Sequence, residues 1–150
     1  MNFTDFGMDA ASLAGSLEAK LAAIQDAGFS QVMLSEQDLV SHPQGPDHAV
    51  RTVLDSGLRV TGFQALRDYE GLTGHLHGYK LDIAKAMLML CHRVKARLLL
   101  VEASVSTHAG TDRNALARDL RKLAMLAVPF DIDIAFKGLD RKSTRLNSSH

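Results

Sequence analysis

Short apolar runs alternate with longer amphipathic runs along the chain. Five of the apolar runs have the length of strands, and they cover residues 7–13, 31–35, 58–63, 97–101 and 132–136. The fourth is the clearest, because residues 98–101 are all apolar. A continuous apolar run is typical of a parallel strand that is buried on both faces. We therefore predict five strands, of which the first is the weakest.

Four amphipathic segments separate these strands. In the first, Leu17, Leu21 and Ile24 fall at i, i+4 and i+7, which predicts a helix with one apolar face. Ser16 can cap its beginning, and Gly28 follows its end. The second predicted helix begins at Pro46 and is closed by Gly57. The fourth can be capped by Thr111 and is ended by Pro129. The apolar side of the long third helix is predicted to hold Leu76, Ile83, Met87, Leu90 and Val94.

The alternation of strands and helices predicts an α/β fold with a parallel sheet. The strands recur roughly every 30 residues with one helix between them, which is the βαβ signature. Parallel strands need crossover connections, and those connections are right-handed. Two architectures fit the pattern: part of a (β/α)₈ barrel, and a five-stranded doubly wound sheet.

Composition gives no sign of a charged macromolecular partner. Lys+Arg and Asp+Glu both number 17, so we expect binding to neither nucleic acid nor a membrane surface. The N-terminus lacks a signal-peptide pattern, and no apolar run approaches the ~20 residues of a membrane span. The single cysteine, Cys91, is expected to be a buried structural thiol. We expect a soluble cytoplasmic protein.

The last ten residues, RKSTRLNSSH, have no periodicity and only one apolar residue. They resemble the translated vector or adapter sequence found at the ends of assembled reading frames. We expect residues 1–140 to form one truncated barrel domain and residues 141–150 to be a non-native, disordered tail.

Polar residues follow each strand, where ligands bind in either parallel fold. They are Glu36 and Asp38 after the second strand; Gln64, Arg67, Asp68 and Glu70 after the third; Glu102, Ser104, Ser106 and His108 after the fourth; and Lys137 after the fifth. Carboxylates could bind a divalent cation, and Arg67 could hold a carboxylate or a phosphate through paired hydrogen bonds. Each could equally be a solvated loop residue or part of a loop salt bridge. No metal or nucleotide motif is present, so spacing alone favours no single chemistry.

Four segments carry a family resemblance: SLEAKLAAIQDAGF, SEQDLV, GFQALRDYEG and ARLLLVEASVS. They resemble the xylose-isomerase-like TIM-barrel family, also known as sugar phosphate isomerase/epimerase. The nearest branch is the bacterial 3-dehydroshikimate dehydratases, whose pattern FQxxRDFEG after the third strand is the most specific match. The fold that the resemblance implies is a partial (β/α)₈ TIM barrel, with about five parallel strands and four helices.

The resemblance also implies an enzyme, either an isomerase/epimerase or a lyase that dehydrates 3-dehydroshikimate to protocatechuate. The substrate would be a small sugar-like or hydroxy-acid molecule. The family holds a divalent metal (Mg, Mn or Co) at the barrel mouth, where it stabilises enolate-like charge. By position, Arg67 and Gln64 match catalytic positions, and the substrate-binding residues would be Glu36, Arg67, Glu102 and Ser104.

Two departures from the family pattern concern the metal. Lys137 stands where the family has a metal-binding Glu after the fifth strand, and a cation repels a metal ion. The sixth to eighth strands, which supply the remaining ligands in the family, are absent. We therefore expect this fragment to bind no metal ion at the barrel mouth and to be inactive. We also expect it to associate through its open sheet edges.

Two other functions fit parts of the pattern. A non-catalytic, receiver-like signalling module also has five βα units, and Ser104, Ser106 and Lys137 suit it. It would, however, need an Asp where Gln64 stands. An aldolase barrel with Lys137 as Schiff-base nucleophile is the third reading.

Overall fold

The computed structural model describes residues 6–138, and in them five parallel strands form one sheet. The strands are β1 (Gly7–Asp9), β2 (Gln31–Ser35), β3 (Arg59–Arg67), β4 (Leu98–Glu102) and β5 (Asp133–Lys137). Their order across the sheet is their order in the chain. A doubly wound sheet would place β1 in the interior, whereas here β1 is an edge strand. The prediction of a partial barrel is confirmed, and the doubly wound alternative is wrong.

Helices connect the strands as the βαβ pattern requires. The described residues contain α1 (Leu17–Asp26), α2 (Glu36–Val40), α3 (Pro46–Asp55), α4 (Gly74–Arg93) and α5 (Arg113–Ala127). The short helix α2 was not predicted, since Glu36 and Asp38 were assigned to a loop. Ser35 caps α2, and the Asp38 carboxylate accepts a hydrogen bond from the Ser35 N–H. This reciprocal capping satisfies free backbone groups, which explains why so short a segment is helical.

The hydrophobic core lies between the sheet and the helices. The predicted apolar face of α1 is confirmed, because Leu17, Leu21 and Ile24 are all buried. The largest fully buried side chains also include Phe63, Leu34, Leu99, Leu88 and Leu123. Burying one such side chain contributes about 1.5–3 kcal/mol, so this layer holds the strand ends in a fixed arrangement.

Several predicted boundaries were wrong. The first strand ends at Asp9, because the Asp9 carboxylate accepts from the Ala11 N–H and starts a 3₁₀ turn over Ala10–Ser12. The third strand continues through Arg67, so Gln64 and Arg67 are strand residues rather than loop residues. Asp112, not Thr111, caps α5. Leu76 was predicted on the apolar side of α4 but is 43% exposed.

Other expectations can be compared with the described residues. Cys91 is fully buried, and burial raises the pKa of its thiol to about 12. Between residues 6 and 138, no helix is long and apolar enough to cross a membrane. The predicted tail, residues 141–150, lies outside the described residues.

Candidate active site

Arg67 and Glu102 meet at the carboxyl end of the sheet. They are register partners on β3 and β4, and Arg67 Nε donates to Glu102 Oε2 at 2.8 Å. The Arg67 side chain is 64% exposed and that of Glu102 is 29% exposed. Within residues 6–138, the terminal amino groups of Arg67 have no hydrogen-bond partner. They remain free to donate to an acidic ligand.

A cleft of about 310 Å³ brings Glu36 next to Arg67. Its apolar wall includes Leu66 and Met87, and its other charged residue is Lys80 of α4. Lys80 Nζ donates to the Arg67 backbone oxygen at 3.0 Å, which fixes the end of β3 against α4. The cleft therefore combines two cations and one carboxylate above apolar side chains.

Gln64 points its amide at a residue that sequence reasoning missed. Gln64 Nε2 donates to Asp9 Oδ1 at 2.7 Å, which links β3 to β1 across β2. Asp9 was overlooked because the first strand was extended past it. The two small residues that follow it were the available signal for a capped turn. Gln64 is thus held by the fold, and its side-chain oxygen makes no hydrogen bond to the described part of the chain.

Asp68 binds the loop after β4. Its carboxylate accepts from the Ser104 hydroxyl at 3.2 Å, from the Val105 N–H at 2.8 Å and from the Ser106 N–H at 3.1 Å. Burial alone would raise the pKa of Asp68, but these hydrogen bonds and the charge of Lys80 outweigh it and lower the pKa. Ser104 is therefore engaged in fixing a loop, together with Asp68.

Glu70 is almost completely buried beside the same loop, at 3% exposure. One carboxylate oxygen accepts from the Ser104 N–H, and the other has no partner among the described residues. Next to it, Gly71 N–H donates to the Asp119 carboxylate at 2.9 Å, and the Tyr69 hydroxyl donates to the Asp119 backbone oxygen at 3.1 Å. Nothing in the sequence distinguished buried Glu70 from a solvated loop acid.

The carboxylates at this end of the sheet do not fit the metal that the family resemblance implies. Asp9 accepts from two N–H donors, Glu102 pairs with Arg67, and Asp68 accepts from the loop after β4. Lys137 ends β5 opposite Glu102, so it adds a positive charge. The carboxylate oxygens that remain, those of Glu36 and Glu70 included, do not bring three ligands within reach of one ion. In residues 6–138, these side chains form no group of three ligands whose donor atoms all lie within 4.8 Å of one another.

Sequence comparison gives two curated relatives with one name. No family model matches the chain. It is 35% identical over 128 residues to the 3-dehydroshikimate dehydratase of Pseudomonas aeruginosa, covering 85% of this chain. It is 34% identical over 128 residues to the 3-dehydroshikimate dehydratase of Pseudomonas putida, again covering 85% of this chain. The chain spans only 20% of the length of each.

Solved structures agree with the sequence matches. A xylose isomerase-like TIM barrel/4-hydroxyphenylpyruvate dioxygenase fusion protein is 32% identical, with a TM-score of 0.79 over 89% of this chain and 21% of the other. The chain belongs to the xylose isomerase-like TIM-barrel family. The fold is also similar to that of the IOLI protein, whose crystal structure holds a zinc atom; that protein is 13% identical, with a TM-score of 0.73, and the match covers 89% of this chain and 51% of that one.

Within this family fold, the predicted site residues divide into three groups. Arg67 and Glu102 lie together, and Glu36 lines the same cleft as Arg67. Gln64 is held by Asp9, and Ser104 is held by Asp68. Arg67 is the member of these groups whose donors remain available at the surface.

Proposed function

We propose that this chain forms the β1–β5 part of a dehydratase that acts on a small, hydroxylated cyclic carboxylic acid such as 3-dehydroshikimate. The two Pseudomonas relatives with that name support the reaction class. The observation that carries the proposal is the position of Arg67, with its guanidinium exposed at the carboxyl ends of β3 and β4. We also propose that the enzyme acts in the cytoplasm.

Arg67 binds the carboxylate of the substrate in this proposal. A guanidinium matches a carboxylate with two parallel hydrogen bonds, and its terminal amino groups are free of partners in residues 6–138. The Glu102 carboxylate holds Nε at 2.8 Å, so the guanidinium plane is already oriented before the substrate arrives. Orienting it in advance reduces the entropy lost on binding.

Dehydration of 3-dehydroshikimate breaks two bonds. A base removes a proton from the ring carbon beside the ketone, and the hydroxyl group of the next carbon leaves as water. Gln64, held by Asp9 at 2.7 Å, can accept a hydrogen bond from a substrate hydroxyl and fix the ring orientation. Glu36 lines the same cleft as Arg67, and in this proposal its carboxylate binds a second hydroxyl.

We further propose that residues 6–138 are inactive by themselves. Asp9 and Glu102 are engaged in contacts within the chain, and Lys137 occupies the end of β5. The test is a chimera in which residues 6–136 replace the matching stretch of the Pseudomonas aeruginosa dehydratase, so that Lys137 is left out and the relative supplies the end of β5. Chromatography then measures consumption of 3-dehydroshikimate and formation of protocatechuate. We expect turnover by the chimera and none by the isolated chain; a folded chimera without turnover contradicts the proposed reaction.

The chain offers a matched control for Arg67. Arg97 makes a similar exposed ion pair with Asp131, at 2.6 Å, but at the opposite end of β4. In the chimera, Arg67→Ala should lower kcat/KM by about 100-fold, since it removes two charge-assisted hydrogen bonds. Arg97→Ala should leave kcat/KM nearly unchanged. Equal effects of the two substitutions would exclude a substrate-binding role for Arg67.

A further inference from the structure

A second cluster of polar side chains lies outside the cleft that Arg67 and Glu36 line. It consists of Glu18 in the first turn of α1, His42 in the loop after α2, and His48 in the first turn of α3. One possible ligand atom from each residue lies within 4.8 Å of the other two. The three residues are distant in the sequence, so only the tertiary fold brings them together.

We propose that Glu18, His42 and His48 bind one zinc ion. Two imidazoles and one carboxylate are a donor set that zinc accepts, with a water molecule as the fourth ligand. Ligand atoms on one tetrahedral zinc ion lie about 3.3 Å apart, because each sits about 2.0–2.1 Å from the metal. The cluster has to contract by about 1.5 Å at most to reach that geometry. This site is independent of the proposed dehydratase function.

Two of the three ligands are already in contact. His42 Nε2 lies 2.7 Å from Glu18 Oε1, and the His42 side chain is only 5% exposed, so the fold fixes the ring. The rings of His42 and His48 lie 5.2 Å apart between centroids. The cluster is thus organised before any ion binds, and the exposed Glu18 can adjust to close it.

The surrounding elements hold the cluster in place and leave it open to solvent. Lys20 Nζ pairs with Asp38 at 2.8 Å and ties α1 to α2. A cleft of about 500 Å³ opens beside Glu18 and His42, and Ser16 and Gln37 also line it. This cleft gives an ion access, and it has room for the water molecule that would complete the coordination.

Ion binding would change the tautomer of His42. The Gln44 N–H donates to His42 Nδ1 at 3.1 Å, so Nδ1 carries no proton and the ring proton lies on Nε2, toward Glu18. Coordination through Nε2 breaks the Nε2–H bond and moves that proton to Nδ1, so the ring stays neutral. The Gln44 N–H then loses its acceptor, and the loop that carries it has to shift.

The test uses the chain itself with zinc chloride, after removal of metal with a chelator. Isothermal titration should show one zinc ion per chain. Cobalt(II) in place of zinc should give the visible absorption of a low-symmetry nitrogen and oxygen site. Nitrogen NMR of the histidines should show the His42 proton moving from Nε2 to Nδ1 as zinc is added.

Substitutions at the two accessible ligands make the proposal falsifiable. Glu18→Gln and His48→Gln should each weaken zinc binding at least about tenfold, while circular dichroism checks that the fold is kept. His75→Gln is the control, because His75 is an exposed histidine on α4 outside the cluster. The proposal is overturned if the unsubstituted chain does not bind zinc, or if both ligand variants bind zinc as tightly as the unsubstituted chain does.

Discussion

Arg67 and Glu102 are direct register neighbours on β3 and β4, and their side chains pair at 2.8 Å on an exposed surface. Exposed ion pairs contribute about 0–1 kcal/mol to folding, so this pair does little for stability. Arg67→Ala should therefore lower the free energy of unfolding of the isolated chain by less than about 1 kcal/mol in a urea titration. A much larger loss would indicate a structural role and weaken the case for substrate binding.

Gly71 should be far less tolerant of substitution than Gly57. Both have a positive φ, 82° and 76°, where a side chain costs about 1–2 kcal/mol. At Gly71 an added Cβ would lie 2.9 Å from Leu116 Cδ2 and 3.0 Å from the Gly110 oxygen, whereas nothing lies within 4 Å at Gly57. Gly71→Ala should cost about 1–3 kcal/mol more than Gly57→Ala in chemical denaturation. Equal losses would show that the contact around Gly71 relaxes freely.

Asp68→Asn tests the charge that holds the loop after β4. Asn tolerates the left-handed φ of 53° at this position, so the substitution changes mainly the charge. At neutral pH we expect a loss of about 1–2 kcal/mol, from weaker hydrogen bonds to Ser104, Val105 and Ser106.

The pH dependence of that loss has a definite sign. Because the pKa of Asp68 is lowered in the folded chain, its contribution is present above the ordinary value of 3.8 and disappears as the pH falls through the folded pKa. The free energies of unfolding of the unsubstituted chain and of the Asp68→Asn variant should therefore converge as the pH falls below 3.8. A difference that is independent of pH would mean that Asn disturbs the turn itself.

Cys91 should be unreactive in the folded chain. Its side chain is fully buried, and its thiol pKa is raised to about 12, so almost no thiolate exists at pH 8. A disulfide exchange reagent should titrate one thiol in denaturant and react only slowly without it. Rapid reaction of the native chain would show that α4 opens easily around Cys91.

The open edge of the sheet should make the chain associate. β5 is an edge strand of the described sheet. Its Phe136 is 46% exposed, and Val128, in the 3₁₀ turn that precedes the strand, is 72% exposed. Unpaired strand edges with exposed apolar side chains pair with other chains. Light scattering should show concentration-dependent oligomers, and Phe136→Lys should reduce them. A monodisperse monomer at all concentrations contradicts this expectation.

Local signals predicted most of the elements of this fold. The apolar run of β2 and the capped, periodic helix α1 are both found where they were expected, because burial and capping act over a few residues. The barrel order followed from the family resemblance, since alternation alone left two architectures open.

The contacts of the candidate site could not be predicted in the same way. Gln64 and Asp9 are 55 residues apart in the chain, and their hydrogen bond depends on the curvature of the sheet. The sequence does not distinguish buried Glu70 from a solvated acid, because the packing of the loop after β4 determines whether Glu70 is buried. The mouth of the barrel is a tertiary feature, so individual residues could be placed near it but their partners could not.

The sequential order of the strands has a consequence for synthesis. Each strand pairs with the one made just before it, so the sheet can grow by one strand and one helix at a time as the polypeptide leaves the ribosome. No strand has to wait for a distant partner, which keeps the search for each pairing short. Such stepwise growth also allows a new strand to be added at the β5 side without rearranging the earlier ones, a property that suits evolution by duplication of βα units.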